Sequence, residues 1–453
     1  MNAPFVPPRP PPAAGPPDLP GFLAAVRTNA IGMWDASAYE APHVIGRALG
    51  RQWILLNAPA SIQHVLIDNP NGYRRTPASI RVLWPITGRG LLLSEGEEWR
   101  WQRRTTAPAF APRSLQLLVP HMAAAVAAAM PALRAEAAAG PVDVLAIMQR
   151  LALDVASRAM FSLGTEQFGG AVRVALGRYA QRLARPTALD LLLPPAVPTP
   201  RDFARRHFRR GWLRLMDRVV AERAAMPPPA GPRDLFDLLA AARDPESGAG
   251  FAPAQLRDQI ATLIVAGHET TALALFWSVY LLAHTPQAQA RLAAEVEGVD
   301  LGPQGAAAAL PKLTFTAAVV NEALRLFPPA FTLVRQARAA DRAGDVAIPR
   351  GAVVMIAPWV LHRHRRLWDQ PDAFVPERFL SGPPPPRFAY LPFGVGPRVC
   401  VGAQFALTEA TLVLAAFMQA FGVTMATTRP VLPAPVITTM PDHAPGFHLT
   451  PRA

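Results

Sequence analysis

Cysteine is almost absent from this sequence, and its scarcity limits the chemistry available to the chain. Cys400 is the only cysteine in 453 residues. A single thiol excludes an intrachain disulfide and a metal site built from several cysteines. Lysine is equally scarce, since Lys312 is the only one, so arginine supplies nearly all of the positive charge behind the formal net charge of +13.

This basic charge does not indicate a nucleic-acid-binding protein. The arginines are scattered, and the sequence has neither the aromatic signature of an RNA-binding module nor the ligand spacing of a zinc finger. A positive surface for an acidic protein partner is the interpretation that we favour. We therefore expect no nucleic-acid partner.

Long apolar runs free of charge are also missing. The stretch 260–283 comes closest, but His268 and Glu269 lie within it, where they would be costly in lipid. Residues 1–20 are rich in proline and lack the apolar core of a signal peptide, which predicts a flexible N-terminal arm. We expect a cytoplasmic protein without a membrane span, in which residues 21–453 form a single domain.

Helical periodicity dominates the apolar pattern, because apolar residues recur at three- and four-residue spacing along much of the chain. The predicted helices include 113–139, 141–163, 166–185, 201–226, 254–285, 314–326 and 403–421. A run rich in valine and isoleucine at 353–357 predicts a strand, and 423–450 predicts hairpin-like ends. The expected fold class is mainly α with a minor β region.

Cys400 lies in a loop suited to hold a thiolate. Residues 393–402 read FGVGPRVCVG, and glycine permits backbone conformations that other residues avoid. A helical run follows from Ala403, so the sulfur is expected near a helix N-terminus, which favours thiolate over thiol. Haem iron accepts one axial cysteine. The alternative is a buried structural cysteine that packs as a small apolar residue.

The centre of the longest predicted helix carries polar residues that a purely structural helix would avoid. Residues 266–271 read AGHETT. Glycine there costs about 1 kcal/mol relative to alanine, and a buried carboxylate costs more unless it is paired. Ala266 and Gly267 are small enough to let a flat ligand approach the backbone. The alternative is a polar turn on a partly exposed helix.

Two further pairs gain meaning from their spacing. Glu322 and Arg325 share one face of a predicted helix, and Arg378 of the PERF sequence could complete an ion network with them. Trp99 and Arg103 also share a face, and their N–H groups suit paired carboxylates such as haem propionates. Alone, the first pair would be an ordinary surface ion pair, and the second would be a packed tryptophan beside a solvated arginine.

Together these motifs resemble the cytochrome P-450 family of haem-thiolate monooxygenases. They occur in the family's order and approximate spacing, as WRWQR from 99, AGHETT from 266, EALR from 322, PERF from 376 and the cysteine loop from 393. The resemblance runs from about residue 20 to the C-terminus. It implies the family's fold, with haem b (iron protoporphyrin IX) between the long central helix and the cysteine loop.

The resemblance implies a role in haem binding for a defined set of residues. Cys400 would be the axial iron ligand and the only protein ligand of the metal. The residues that would shape the loop or lie against the haem are Phe393, Gly394, Gly402, Ala266 and Gly267. Those that would contact the propionates are Trp99, Arg103, Arg335 and Arg398.

The resemblance also implies a catalytic pair on the distal side of the haem. Thr270 would hold the oxygen and its ordered waters, while Glu269 would relay protons. His268 occupies a position that varies in the family, so we interpret it as a packing or gating residue and not as a second ligand.

The implied activity is hydroxylation by a soluble, bacterial-type monooxygenase that inserts one atom of O2 into a hydrophobic small molecule. Electrons would come from a separate ferredoxin-type donor with its reductase, and we expect a monomer. No GxGxxG follows a predicted strand. Arg100 and Arg104 are candidates for a basic docking face.

The substrate pocket and the reaction type each leave alternatives open. By resemblance the pocket would draw on Ile80, Leu83, Trp84, Ile86, Leu263, Ala330, Phe331, Leu333 and Ile437, with Arg81 as a candidate anchor for a carboxylate. The alternative functions are a peroxide-using enzyme and a non-oxygenase haem protein on the same scaffold. Such proteins need neither Glu269 nor Thr270, so the presence of this pair favours O2 activation.

Overall fold

The computed structural model describes residues 3–15, 19–48, 50–162, 168–194, 196–227, 231–381, 383–435 and 437–452. The α-helices in these ranges are α1 Leu19–Thr28, α2 Pro59–Gln63, α3 Pro77–Thr87, α4 Gly96–Thr106, α5 Pro112–Ala139, α6 Val144–Phe161, α7 Gly169–Arg182, α8 Ala188–Leu192, α9 Pro200–Ala224, α10 Leu235–Ala241, α11 Pro253–Ala283, α12 Pro286–Val296, α13 Ala306–Ala309, α14 Thr314–Leu326, α15 Pro358–Leu361 and α16 Ala403–Ala420. The strands are β1 His43–Ala48, β2 Arg51–Leu56, β3 Tyr73–Arg74, β4 Val142–Asp143, β5 Leu333–Ala337, β6 Asp341–Ala343, β7 Val346–Ile348, β8 Val353–Ile356, β9 Phe421–Met425 and β10 Gly446–Pro451. The expected fold class, mainly α with a minor β region, is confirmed.

Helix boundaries agree closely with the periodicity of the sequence. Helix α14 spans the predicted residues, and the ends of α5, α11 and α16 differ from their predicted positions by at most two residues. Pro112, Pro200 and Pro253 open α5, α9 and α11, because a first-turn residue needs no amide donor. The predicted helices at 141–163 and 166–185 end or begin in residues outside the described ranges.

The strands form small sheets from segments that are distant in sequence. One sheet has the order β1-β2-β8-β5-β3, in which β2 and β8 run parallel and the other neighbours are antiparallel. A second has the order β4-β10-β9, and its β9–β10 pair is the hairpin-like end that the sequence predicts. The third is the antiparallel pair β6–β7.

Helix α11 runs through the core and packs against α6, α14 and α16. Its second half is buried, and Trp277 stacks on Phe327 with ring centroids 3.9 Å apart. The indole N–H of Trp277 donates to the carbonyl of Thr439 at 2.8 Å. These contacts anchor the helix and so fix the position of the polar stretch at its centre.

The predicted ion network is confirmed beside α14. Glu322 accepts two hydrogen bonds of 2.7 Å from Arg325, and both side chains are fully buried. Arg378 donates to the same carboxylate at 3.1 Å, and the amide of Val375 donates at 2.9 Å. Removing one partner of such a buried network is costly, because a charge is left unpaired.

The described part of the N-terminal arm lies against the body of the protein. The carbonyl of Phe5 accepts a hydrogen bond of 2.8 Å from Phe374, and the Phe5 ring stacks on His284. Arg9 pairs with Asp372 at 2.9 Å. The flexibility expected of residues 1–20 and the single domain expected at 21–453 stay predictions.

In the described ranges, α5, α11 and α16 are long and apolar enough to cross a membrane by length and composition alone. The sequence pointed only to the α11 region in this respect. In the windows of α11 and α16 most residues are buried inside the protein.

Candidate active site

The cysteine loop is closed by its own backbone. The amide of Cys400 donates to the carbonyl of Phe393 at 2.9 Å. Gly394 and Gly396 have φ angles of 71° and 77°, which residues with a side chain rarely adopt. A Cβ at Gly396 would also collide with the carbonyl of Leu66. The loop therefore needs glycine at both positions to hold the thiol in place.

The Cys400 side chain is accessible because it opens onto an internal cavity. Burial raises the pKa of its thiol, while the amide of Gly402 and the charge of Arg103 oppose this rise. The amide of Gly402, at the start of α16, favours the thiolate as expected, but burial is the larger contribution. A metal cation at the sulfur would reverse the balance, because a coordinated thiol is deprotonated.

The cavity, of about 550 Å³, brings the predicted halves of the site together. Cys400, Phe393 and Gly402 line it together with residues 266–270 of α11. A second cavity of about 380 Å³ has several lining residues in common with it, namely Arg75, Leu83, Ala184, Leu333, Arg335 and Ile437. Because both line the first cavity, the polar stretch of α11 borders the same space as the cysteine loop.

The small residues of α11 leave open space where a flat ligand was expected. A Cβ built on Gly267 would meet no atom within 4 Å, and Ala266 is accessible from the cavity. The hydroxyl of Thr270 donates to the carbonyl of Ala266 at 2.6 Å. This hydrogen bond holds the hydroxyl at the cavity wall. Threonine hydroxyls that bond to the carbonyl one turn earlier often bend the helix.

Glu269 is half-buried at the cavity wall and has one hydrogen-bond partner among the described residues. The hydroxyl of Thr438 donates to its Oε1 at 2.8 Å. Burial raises the pKa of the Glu269 carboxyl above its ordinary value, and the hydrogen bond from Thr438 lowers it in part. The raised pKa makes this carboxyl better suited to accept and donate protons near neutral pH.

His268 lines the cavity but is held by helix α6. Its Nε2 lies 3.1 Å from the carbonyl of Gln149. Burial lowers the pKa of the imidazole to about 4, so it is neutral at physiological pH. This contact agrees with the interpretation of His268 as a packing residue.

One edge of the cavity carries a cluster of arginines, Arg75, Arg335 and Arg398. Burial and repulsion by Arg335 and Arg398 lower the pKa of Arg75 to about 9. Burial and repulsion by Arg335 likewise lower the pKa of Arg398 to about 10. Glu95 offsets part of this charge, but it also binds Arg338 at 2.6 Å.

Trp99 and Arg103 of α4 line the same cavity. The guanidinium of Arg398 lies 4.5 Å from the centre of the Trp99 ring, which is a cation–π geometry. Arg103 donates to the carbonyl of Val399 at 2.8 Å. Arg103 is thus held beside the cysteine loop as well as at the cavity wall.

The residues present fit haem. Three clustered arginines need anionic partners, and a buried Nε of Arg75 has no hydrogen-bond partner among the described residues. The two propionates of haem would supply that charge. A lone thiol on one wall and the open face at Gly267 on the other suit a flat macrocycle with one axial ligand.

Three residues of the site were missed from the sequence. Arg75 and Thr438 lie in irregular segments without a local signal. Glu409 did carry a local signal, because it is an acidic residue within the apolar run of α16. It is 2% exposed, and burial raises the pKa of its carboxyl well above the ordinary value, opposed by the adjacent Thr271.

The substrate pocket stays a prediction, although most of its residues line a cavity. Its members that line one or both cavities are Leu83, Ile86, Leu263, Ala330, Phe331, Leu333 and Ile437. Ile80 and Trp84 line neither cavity, and Trp84 lies under Arg209 at 4.4 Å. Arg81 is also excluded as a substrate anchor, because it is buried in an ion pair with Asp202.

Arg100 and Arg104 are not free to form a docking face. Arg100 pairs with Glu97, and Arg104 pairs with Asp244 at 2.8 Å and Glu246 at 3.0 Å. These ion pairs reduce the positive charge that the two arginines offer to a protein partner.

Comparison with known proteins places this site in a family. The cytochrome P450 family model matches residues 39–443. Cyclooctatin synthase of Streptomyces melanosporofaciens is 37% identical over 369 residues, which cover 79% of this chain and 78% of that protein. Cyclooctat-9-en-7-ol 5-monooxygenase of the same organism is 32% identical over 340 residues, with 73% and 72% covered. Protein LUTEIN DEFICIENT 5 of Arabidopsis thaliana, a chloroplastic protein, is 29% identical over 398 residues, with 84% and 67% covered. With a match over most of its length, the chain belongs to the cytochrome P450 family.

Proposed function

We propose that this protein oxidises a largely hydrocarbon small molecule with O2, using electrons from a separate ferredoxin-type donor and its reductase. Membership in the family makes the chain a haem-dependent monooxygenase. One observation supports the assignment of residues. Cys400 and the pair Glu269 and Thr270 border one cavity whose edge carries an arginine cluster.

We assign the cofactor contacts as follows. Cys400 would ligate the iron, and the propionates would be held by Arg75, Arg103, Arg335, Arg398 and Trp99. Bound haem supplies the iron chemistry that activates O2 and transfers one oxygen atom to the substrate. The family's fold leaves room for it between α11 and the cysteine loop, where Gly267 offers no side chain.

The proton route runs along α11. Thr270 holds a hydroxyl at the cavity wall, fixed through its bond to Ala266. There the hydroxyl would order water. Glu269 exchanges protons with that water, since its raised pKa lets the neutral acid donate and the carboxylate accept. Thr438 orients the carboxyl.

The lining of both cavities indicates the substrate class. Leu83, Ile86, Leu263, Leu333 and Ile437 present aliphatic surface and no charge. Such pockets bind through buried apolar area and use few polar groups for orientation. One relative, cyclooctat-9-en-7-ol 5-monooxygenase, is named for an unsaturated alcohol. A predominantly apolar alkene or alcohol is therefore the class that we propose for this chain.

The partner and the location are proposals as well. An acidic ferredoxin suits the net charge of +13, although Arg100 and Arg104 contribute little to the attraction. We propose a monomer that works in the cytoplasm.

The test of this function is the spectrum of the ferrous carbon monoxide complex. The parent protein should show the long-wavelength Soret band of thiolate ligation, and Cys400→Ser should lose it. A band that persists in Cys400→Ser would refute the ligand assignment. Turnover of an apolar alkene that shifts the Soret band should require added ferredoxin and reductase, and turnover with NADH alone would refute the proposed electron supply.

A further inference from the structure

Glu95 stands at the N-terminal boundary of α4, but its side chain does not cap that helix. Polar side chains at this position commonly accept hydrogen bonds from the first free amides, and Glu95 accepts none of them. Its Oε1 instead accepts a hydrogen bond of 2.7 Å from the amide of Arg75, and its Oε2 accepts one of 2.6 Å from Arg338. The carboxylate is therefore turned toward the arginine cluster formed by Arg75, Arg335 and Arg398.

The backbone that carries Glu95 is fixed by its neighbour, Ser94. The carbonyl of Ser94 accepts a hydrogen bond of 3.0 Å from Arg398 of the cluster. The hydroxyl of Ser94 donates to Gln102 at 2.9 Å, and Gln102 in turn donates to the carbonyl of Arg89 at 2.8 Å. Ser94 and Gln102 are both buried. Because these bonds do not involve the Glu95 side chain, a substitution there can change the charge while the backbone stays in place.

Glu95 acts electrostatically on the whole arginine cluster. Burial lowers the pKa of each of the three arginines, and the negative charge of Glu95 opposes that shift in all three. Glu95 is the one described carboxylate that acts in this way on every member of the cluster. Arg338, its direct partner, has a side chain that is 46% exposed, so water screens much of that charge.

The charges at this edge of the cavity balance only when Glu95 is counted. The arginine cluster contributes three positive charges, whereas the two propionates of a bound haem contribute two negative charges. With the propionates alone, one half-buried guanidinium would keep an uncompensated charge, which is costly away from water. Glu95 supplies the third negative charge.

We propose that Glu95 is a positioning residue that acts through the arginine cluster to set the net charge at the propionate edge, and thereby lowers the reduction potential of the haem. The proposal rests on the propionate contacts assigned under the proposed function. Reduction of ferric haem takes up one electron from the ferredoxin-type donor and adds one negative charge to the site. A nearby carboxylate opposes that step, and nearby guanidinium groups favour it.

The same charge gives haem retention a sign that distinguishes this role from a structural one. Because the propionates are anions, the carboxylate of Glu95 weakens their attraction to the arginine cluster. Removal of its charge should therefore make the protein hold haem more tightly. A residue that merely kept α4 in place would have the opposite effect, since its loss would loosen Trp99 and Arg103 at the cavity wall.

The test is a redox titration of the haem-loaded protein, together with haem transfer to a scavenging apoprotein. Glu95→Gln keeps an oxygen that can accept from the amide of Arg75 but removes the charge. The equilibrium between ferric and ferrous haem should shift about threefold to tenfold toward ferrous, and tenfold corresponds to a potential about 59 mV more positive for one electron. Haem transfer should slow by about threefold. Glu95→Asp keeps the charge and should stay nearer to the parent in both measurements.

Glu98→Gln is the matched control, because it removes the same charge from an exposed position of α4 and should behave as the parent does. An unchanged or more negative potential in Glu95→Gln, or an equal positive shift in Glu95→Asp or Glu98→Gln, would overturn the proposal. If Arg75→Gln still releases haem faster in that case, the propionate assignment stands and only the role of Glu95 has failed. If Arg75→Gln also behaves as the parent does, the propionate assignment has failed with it. The carbon monoxide spectrum of each variant checks that thiolate ligation is intact.

Discussion

Thr438 donates a hydrogen bond of 2.8 Å to Oε1 of Glu269, so a C-terminal loop holds the carboxyl at the centre of α11. Burial raises the pKa of Glu269, and this bond is the opposing contribution that lowers it. The two residues are far apart in sequence. The protonation of Glu269 therefore depends on a loop that also borders the substrate space.

Replacement of Thr438 should change the pH dependence of turnover. Thr438→Val keeps the shape of the side chain but removes the donor, so the pKa of Glu269 should rise further. The pH profile of product formation should then shift to higher pH. Thr439→Val is the control, because the Thr439 hydroxyl donates to the carbonyl of Pro328 instead. Superimposable profiles for Thr438→Val and the parent would exclude Glu269 from the proton route.

Loss of the Thr270 hydroxyl should uncouple the reaction. Positioned proton transfer contributes about 10²–10⁴-fold to a step. In Thr270→Ala we expect NADH and O2 consumption to persist while product per NADH falls by about tenfold or more and hydrogen peroxide accumulates. Thr271→Ala should do much less, because Thr271 is buried toward Glu409. The measurement is product formed per NADH consumed, and unchanged coupling in Thr270→Ala would contradict the assigned role.

Arg75 should govern how tightly haem is held. Arg75→Gln removes one of the three clustered cations, and a charge-assisted hydrogen bond contributes about 1.5–3 kcal/mol. Haem transfer to a scavenging apoprotein should accelerate by about tenfold to a hundredfold. Arg74→Gln is the matched control, since Arg74 is exposed and binds Gln336 at 3.2 Å. Equal rates in the two variants would remove Arg75 from the propionate set.

Glu409 should make stability fall as the pH rises. Its pKa is raised in the folded protein by burial, so the folded state binds the proton more tightly than the unfolded chain. Stability is then greatest below the ordinary glutamate pKa and declines as the pH rises toward the raised value. Glu409→Gln removes this titration.

The free energy of unfolding of Glu409→Gln, relative to the parent, should therefore grow with pH by up to about 1.4 kcal/mol per pH unit. Denaturant unfolding of the haem-loaded proteins at several pH values measures this difference. Glu297→Gln, at an exposed position, is the control and should show a flat difference. A flat difference for Glu409→Gln as well would show that its carboxyl titrates normally.

Local motifs allowed the sequence to predict the chemical centre of the site. The cysteine loop carries its own constraints, because its glycines and its closing hydrogen bond fall within ten residues of Cys400. The AGHETT stretch was recognisable because polar residues interrupt an apolar helix. The ends of α14 followed from its periodicity, and its face carried Glu322 and Arg325 together.

Contacts between distant segments could not be predicted in this way. Trp53 pairs with Val353 across the parallel strands β2 and β8, and nothing in either segment specifies that partner. Arg75 joins the arginine cluster only because β3 pairs with β5, which places it near Arg335. The direction of Trp84 was mistaken for the same reason, since Arg209 on a different helix covers its ring.

The single cysteine of the chain has a practical consequence. Because Cys400 is the only thiol and opens onto the cavity, a small thiol-selective reagent has one possible target. Iron coordination would consume the thiolate that such a reagent attacks. The extent of alkylation therefore counts the molecules without cofactor, and the mass of the intact chain reports occupancy without any label being engineered into it.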